Sequence, residues 1–161
     1  MRLVDVHCHL ESKYFRDRLD AVIAGAREAG VVRMVTSTTG PDEWELSRSI
    51  AERYDPVEFA LGIHPWYCAE ALLPSLDDLA AQAGRGAVAI GEIGLDSRVE
   101  TPVFPLQQLF FERQLAIARE LDLPVVLHCR GAFDAMHAAL RKIGAPARGG
   151  VVHSFSGSVE I

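Results

Sequence analysis

The sequence is 161 residues long, 49% hydrophobic and carries a formal net charge of −6. That size and apolar content suit one domain, residues 1–161, with a real core; they exclude a disordered chain, and no apolar run reaches the roughly 18 residues of a membrane span. The acidic balance argues against an extended footprint for nucleic acid, but not against a phosphate-bearing substrate held at one site by bound cations. The first residues enter a strand without the basic segment and apolar stretch of a secretion signal. Cys8, Cys68 and Cys129 are odd in number and form no Cys-x-x-Cys pair. They fit a cytoplasmic protein with no disulfide partner.

The elements follow a strand–helix rhythm. Leu3-Val4-Asp5-Val6-His7-Cys8-His9 reads as the first strand, with His7 and His9 on one side and Cys8 on the other. Leu19, Val22, Ile23 and Ala26 form a helical stripe that Gly30 stops. Val31 to Ser37 is the second strand, and Pro41 opens the second helix. Val57 to Ile63 is the third strand, closed by His64-Pro65. A third helix covers about Leu76 to Ala83. Ala87 to Ile90 is the fourth strand, followed by Gly91-Glu92-Ile93-Gly94. Pro105 begins the fourth helix, whose face carries Leu106, Phe110, Ile117 and Leu121. Val125-Val126-Leu127 is the fifth strand, Phe133 to Ile143 the fifth helix, and Val151-Val152 the sixth strand. Ser156 to Ile161 reads as a loop entering a sixth helix. Such βα repeats imply an α/β fold with a parallel sheet covered by helices, either a doubly wound open sheet or a (β/α) barrel. No Gly-x-Gly-x-x-Gly follows a strand, which weakens a dinucleotide-binding version.

The chemistry gathers at the carboxyl ends of the strands. Strand one ends in His7 and His9, strand three in His64, strand four in Glu92, strand five in His128 and strand six in His153. Imidazole and carboxylate ligands suit zinc, manganese and related ions, and in a barrel of parallel strands these ends converge on one face. The pattern predicts a shared metal site. Cys8 and Cys129 alternate away into the strand–helix layer, and His137, inside the fifth helix, reads as a surface residue. Asp5, deeper on the face of His7, is a candidate hydrogen-bond partner for a ligand. Asp96 and Arg130 lie just past strand ends, each either a substrate contact or half of a surface ion pair.

Asp5-Val6-His7-Cys8-His9-Leu10, Gly62-Ile63-His64-Pro65, Gly91-Glu92-Ile93-Gly94-Leu95-Asp96, Leu123-Pro124-Val125-Val126-Leu127-His128-Cys129-Arg130 and Val152-His153-Ser154-Phe155-Ser156-Gly157 resemble the successive signatures of the TatD family. The resemblance implies a metal-dependent hydrolase, in several members a deoxyribonuclease, on an amidohydrolase-like TIM barrel. The barrel would be incomplete here, with about six strands and five helices. It implies His7, His9, Glu92, His128 and His153 as metal ligands, with Glu92 bridging two divalent ions (magnesium, manganese or zinc) and serving as the catalytic residue. His64 matches a family position near substrate phosphate or an extra metal, and with Arg130, at its strand end, it is expected to contact substrate, DNA or another phosphodiester. The sequence departs from the signatures at Trp66, where a second histidine is usual after His-Pro, and at Gly131, where an acidic residue often stands. The family's last metal ligand, an aspartate ending strand eight, has no counterpart, so a site short of one carboxylate is expected. Two other functions stay open: an amidohydrolase-like small-molecule hydrolase, and a non-catalytic fragment that keeps part of the site. The oligomeric state is not read from the sequence.

Overall fold

The computed structural model describes residues 1–158. Six strands, β1 Leu3–Cys8, β2 Val31–Ser37, β3 Val57–Leu61, β4 Ala89–Asp96, β5 Val125–Arg130 and β6 Gly150–Val152, form one sheet in chain order. Every neighbouring pair is parallel. Helices α1 Leu19–Glu28, α2 Trp44–Arg53, α3 Leu73–Ala83, α4 Phe104–Glu120 and α5 Phe133–Ile143 connect them. The expected loop into a sixth helix ends in residues 159–161, outside the described residues.

The sheet is curled into a half-barrel. β1 and β6 are its edges, and in a flat sheet five strand spacings would hold them about 24 Å apart. Yet the rings of His7, on β1, and His153, just after β6, have centroids 4.1 Å apart. Side-chain alternation makes this possible. Phe59, Leu61, Ile90, Ile93, Leu95, Val125 and Leu127 point outward and pack against α3, α4 and α5. Cys8 and Met34 meet Ile23 of α1 in a second outward cluster. Among the described residues, the apolar cluster on the concave side is made of small or branched residues, Ala60, Ala89 and Val126 with Val35 and Val151. On edge strand β1, Val4 and Val6 are 56% and 47% exposed.

Three differences from the sequence reading bear on the site. A 3-10 turn, Pro41–Glu43, precedes α2, so proline opens the turn rather than the helix. β4 runs on through Gly91-Glu92-Ile93-Gly94 to Asp96, which places Glu92 inside the strand rather than after it. The glycines explain the extension. A methyl group at Gly91 would press on Val126, and one at Gly94, whose φ is +145°, would collide with the His128 carbonyl. They mark close strand contact, not a loop. The third difference is α4. Its buried face is Gln107, Phe110, Phe111, Gln114, Leu115 and Ala118, while Leu106, Ile117 and Leu121 are only half-buried.

The two buried glutamines turn that face inward because they satisfy backbone groups at the strand ends. Gln114 accepts from the Ile63 amide (2.7 Å) and donates to the Ile63 carbonyl (3.0 Å). Gln107 accepts from the Asp96 amide (2.9 Å) and donates to the Pro102 carbonyl (2.9 Å). Seven residues apart, they share a helix face and fix the backbones that carry His64 and Asp96. Replacing Gln114 by leucine orphans a buried N–H and a buried C=O, and should cost about 2–4 kcal/mol in urea unfolding. A loss under about 0.5 kcal/mol would show that water or a shift of the loop replaces both bonds.

Candidate metal centre

The concave face converges on Glu92. Its side chain is buried, and five imidazoles reach its two oxygens. His7 Nε2 and His9 Nε2 lie 3.3 and 3.4 Å from Oε2. His64 Nε2, His128 Nδ1 and His153 Nε2 lie 3.2, 3.2 and 2.5 Å from Oε1. Burial alone would push the Glu92 carboxyl upward. The hydrogen bonds from His128, His153, His64 and His7 outweigh it and hold the group far below the usual carboxylate range, so it is ionised.

Two of the imidazoles are gripped from behind by a second carboxylate. His9 turns Nδ1 to Glu11 Oε1 (3.2 Å) and Nε2 to Glu92. Glu11 is itself buried and accepts from the Thr36 hydroxyl, which also takes the Leu10 amide at 2.9 Å. His128 turns Nε2 to Asp96 Oδ2 (3.2 Å) and Nδ1 to Glu92. Asp96 is fully buried. It accepts from Trp66 Nε1 (2.6 Å) and the Arg98 amide (2.8 Å), and these bonds with His128 overcome burial and lower its carboxyl. An outer carboxylate that holds one ring nitrogen leaves the other free to bind a cation. The hydrogen bonds from Glu11 and then Glu92 raise His9 to about 10. His128 is also raised, Glu92 and Asp96 overcoming its burial.

Glu11 was missed in the sequence because it lies past the end of β1, where alternation no longer says which way a side chain points. Asp96 was read as a substrate contact or surface ion pair. The extension of β4 instead places it inside the strand, buried against His128. Among the described residues, the exposed Asp5 carboxylate accepts from the backbone amide of His7, at 3.2 Å, and holds no imidazole.

The donor set fits a divalent cation. His7, Glu92 and His153 bring ligand atoms within 4.8 Å of one another, as do His64, Glu92 and His128. His7 Nδ1 is buried and has no hydrogen-bond partner among the described residues. His64 differs in kind from the others. Its Nδ1 accepts from the Trp66 amide at 3.1 Å, and burial lowers it toward the neutral form. A neutral imidazole with Nδ1 accepting carries its proton on Nε2, so His64 meets Glu92 as a donor rather than as a lone pair. Burial, with Asp5 and Glu11 nearby, pushes the Cys8 thiol up to about 12, and Cys8 and Cys129 both pack outward. Neither supplies a thiolate.

A cavity of about 650 Å³ opens on this cluster. His9, His64, Glu92, His128 and His153 form its floor, and Lys13, Tyr14 and Arg16 of the β1–α1 loop line one wall. Trp66 and Tyr67 also line it, as do Asp42 and Glu43. Glu43 is engaged, accepting from both the amide and the hydroxyl of Thr39. Arg130 is exposed at the end of β5, and neither it nor His137, half-buried on α5, lines this cavity.

A family model described as TatD related DNase matches residues 4–161. The chain is 36% identical to the uncharacterized metal-dependent hydrolase YjjV of Escherichia coli strain K12, over 99% of this chain and 62% of that protein. It is 34% identical to the 3'-5' ssDNA/RNA exonuclease TatD of Pantoea ananatis, over 98% of this chain and 62% of that one. The crystal structure of YjjV, a TatD homolog, superimposes with a TM-score of 0.89 at 35% identity, covering 99% of this chain and 62% of that chain. The phosphotriesterase homology protein of Escherichia coli, at 14% identity and a TM-score of 0.64 over 88% of this chain and 58% of its own, shares the fold. The chain thus spans less than two thirds of the length of the relatives it matches.

A cation held by His9 would displace its proton, so on that reading binding should release protons at pH 7 and tighten as the pH rises toward 10. Calorimetry with Mn²⁺ in two buffers of different ionisation enthalpy reads the release. The sign for the metal-free fold is the reverse. The raised His9 contributes stability below its ordinary value of 6.5 that is lost as the pH climbs through about 10. Glu11→Gln should weaken Mn²⁺ binding roughly ten- to a hundred-fold. Unchanged affinity would mean that Glu11 does not hold a ligand.

Proposed function

This chain belongs to the TatD-related DNase family, and on that premise we propose that it hydrolyses phosphodiester bonds in DNA. His7, His9, Glu92, His128 and His153 would hold divalent cations, with Glu92 as their shared carboxylate. The carrying observation is the cavity itself: one opening joins the Glu92 cluster to two cationic side chains, Lys13 and Arg16, in a chain of net charge −6. Two cations on the wall formed by the β1–α1 loop, with Asp42 and Glu43 also on the cavity lining, suit a substrate whose phosphates meet Lys13 and Arg16 beside the imidazole–carboxylate cluster.

When bound, divalent cations lower the pKa of water and polarise a phosphoryl oxygen. The chain's own residues do the rest. Glu92 stays ionised, takes up no proton at neutral pH and would supply negative charge to offset bound cations. Glu11 and Asp96 fix the ring orientations of His9 and His128. His64, with its proton on Nε2, donates to a phosphoryl oxygen in place of Glu92. Lys13 and Arg16 hold the neighbouring phosphates, and Arg130, which alternation places on the side of β5 that carries His128, makes an outer contact to the backbone. Water adds to phosphorus, the bond to the sugar oxygen breaks, and that oxygen leaves with a proton.

With Mn²⁺ or Mg²⁺, the protein should release nucleotides from a single-stranded oligodeoxynucleotide, stop on chelation and resume when the ion is restored. Glu92→Ala should abolish turnover and His137→Ala should leave it unchanged. Intact DNA together with cleavage of a small ester, lactone or amide would replace this reading with a small-molecule hydrolase.

A further inference from the structure

Trp66 is held more firmly than an exposed side chain needs to be. Its indole N–H donates to Asp96 Oδ2 at 2.6 Å and its amide donates to His64 Nδ1 at 3.1 Å. The ring meets His64 nearly edge-on, with centroids 5.0 Å apart at 82°, and meets His128 at 5.7 Å and 72°. Both neighbours belong to the Glu92 cluster. Even so, Trp66 is 45% exposed, and it lines the cavity. A peg for Asp96 alone would not require so large an apolar surface left bare beside a charged cluster. Trp66 is also not isolated: Tyr14 and Tyr67 are bare on the same cavity, beside Lys13 and Arg16. Bare apolar surface gathered at one opening marks binding, and aromatic rings interleaved with cations suit an unpaired polynucleotide, because every base has a π-face to stack. Tyr14 sits on the loop before α1, with Lys13 near its ring. Tyr67 meets the His64 ring at 6.1 Å, whereas the Trp66 indole is hydrogen-bonded to Asp96, the carboxylate that holds His128.

Resting on the nuclease reading above, we infer that Trp66 is a specificity-determining platform on which the base next to the scissile phosphate stacks. Asp96 locks the indole in place and in the same stroke orients His128. The substrate is then selected by the presence of a planar base at that position, and not by phosphate charge alone.

The test compares two probes on the whole chain in chelator, where nothing is cut: a fluorescein-labelled oligothymidylate of eight nucleotides and a backbone of equal length whose sugars carry no bases. Anisotropy reads affinity and tryptophan emission reads contact. The wild type should bind the oligothymidylate roughly ten-fold or more tightly than the abasic probe, with quenched emission. Trp66→Ala should erase the preference. Trp66→Phe should keep most of it while losing the quench, since buried Trp44 remains. Equal affinity for the two probes in the wild type, or an undiminished preference in Trp66→Ala, overturns the platform. If the Mn²⁺-loaded protein still cuts the oligothymidylate in that case, the nuclease reading survives without it. Failure to bind either probe, with no cleavage, removes both.

Discussion

A single buried carboxylate organises the molecule. Glu92 lies on a strand whose residues are all buried, where an uncompensated charge would cost several kcal/mol. Five imidazoles offset that cost, and they arrive from β1, from the ends of β3 and β6 and from β5. Since β1 and β6 are opposite edges, the carboxylate can be satisfied from both only if the sheet curls. The concave face is therefore restricted to residues as small as Ala60 and Ala89. It also requires glycine at positions 91 and 94, where a methyl group would meet β5. Electrostatics at the centre and steric economy around it are one constraint.

The cluster is held by a less conspicuous layer. Glu11 and Asp96 each grip an imidazole from behind, Thr36 holds Glu11, and Trp66 holds Asp96. Behind these, Gln107 and Gln114 of α4 fix the backbones of Asp96 and Ile63. An imidazole whose far nitrogen is committed cannot rotate away, so its near nitrogen stays aimed at the centre. This layer also separates His64 from its neighbours. All the cluster histidines face the same carboxylate, but only His64 has an amide N–H bonded to Nδ1, which makes it a donor by default.

The rim has a different logic from the floor. Its residues, Lys13, Tyr14, Arg16, Trp66 and Tyr67, lie in loops after β1 and β3. Loops at the strand ends can change without disturbing the sheet, while the floor is fixed by the strands. Membership of the TatD-related DNase family is carried across nearly the whole chain.

The sequence by itself determined the parallel α/β plan and which imidazoles and carboxylate gather at the strand ends. Both follow from local periodicity: β-branched runs alternate with helical stripes, and His7, His9, His64, Glu92, His128 and His153 each follow an apolar run. Element limits such as Val31–Ser37 and Phe133–Ile143 were legible for the same reason. Only the tertiary structure decided the rest. The extension of β4 through Gly91 and Gly94 depends on how close β5 approaches, and no pattern within β4 reports that distance. The inward face of α4 was hidden because glutamine reads as polar and therefore outward, until backbone groups of β4 and the Ile63 turn need partners. Glu11 and Asp96 were hidden because a carboxylate in a loop or at a strand end looks the same in sequence whether it meets water or an imidazole. That choice is made by long-range contact, Thr36 from 25 residues away and His128 from 32.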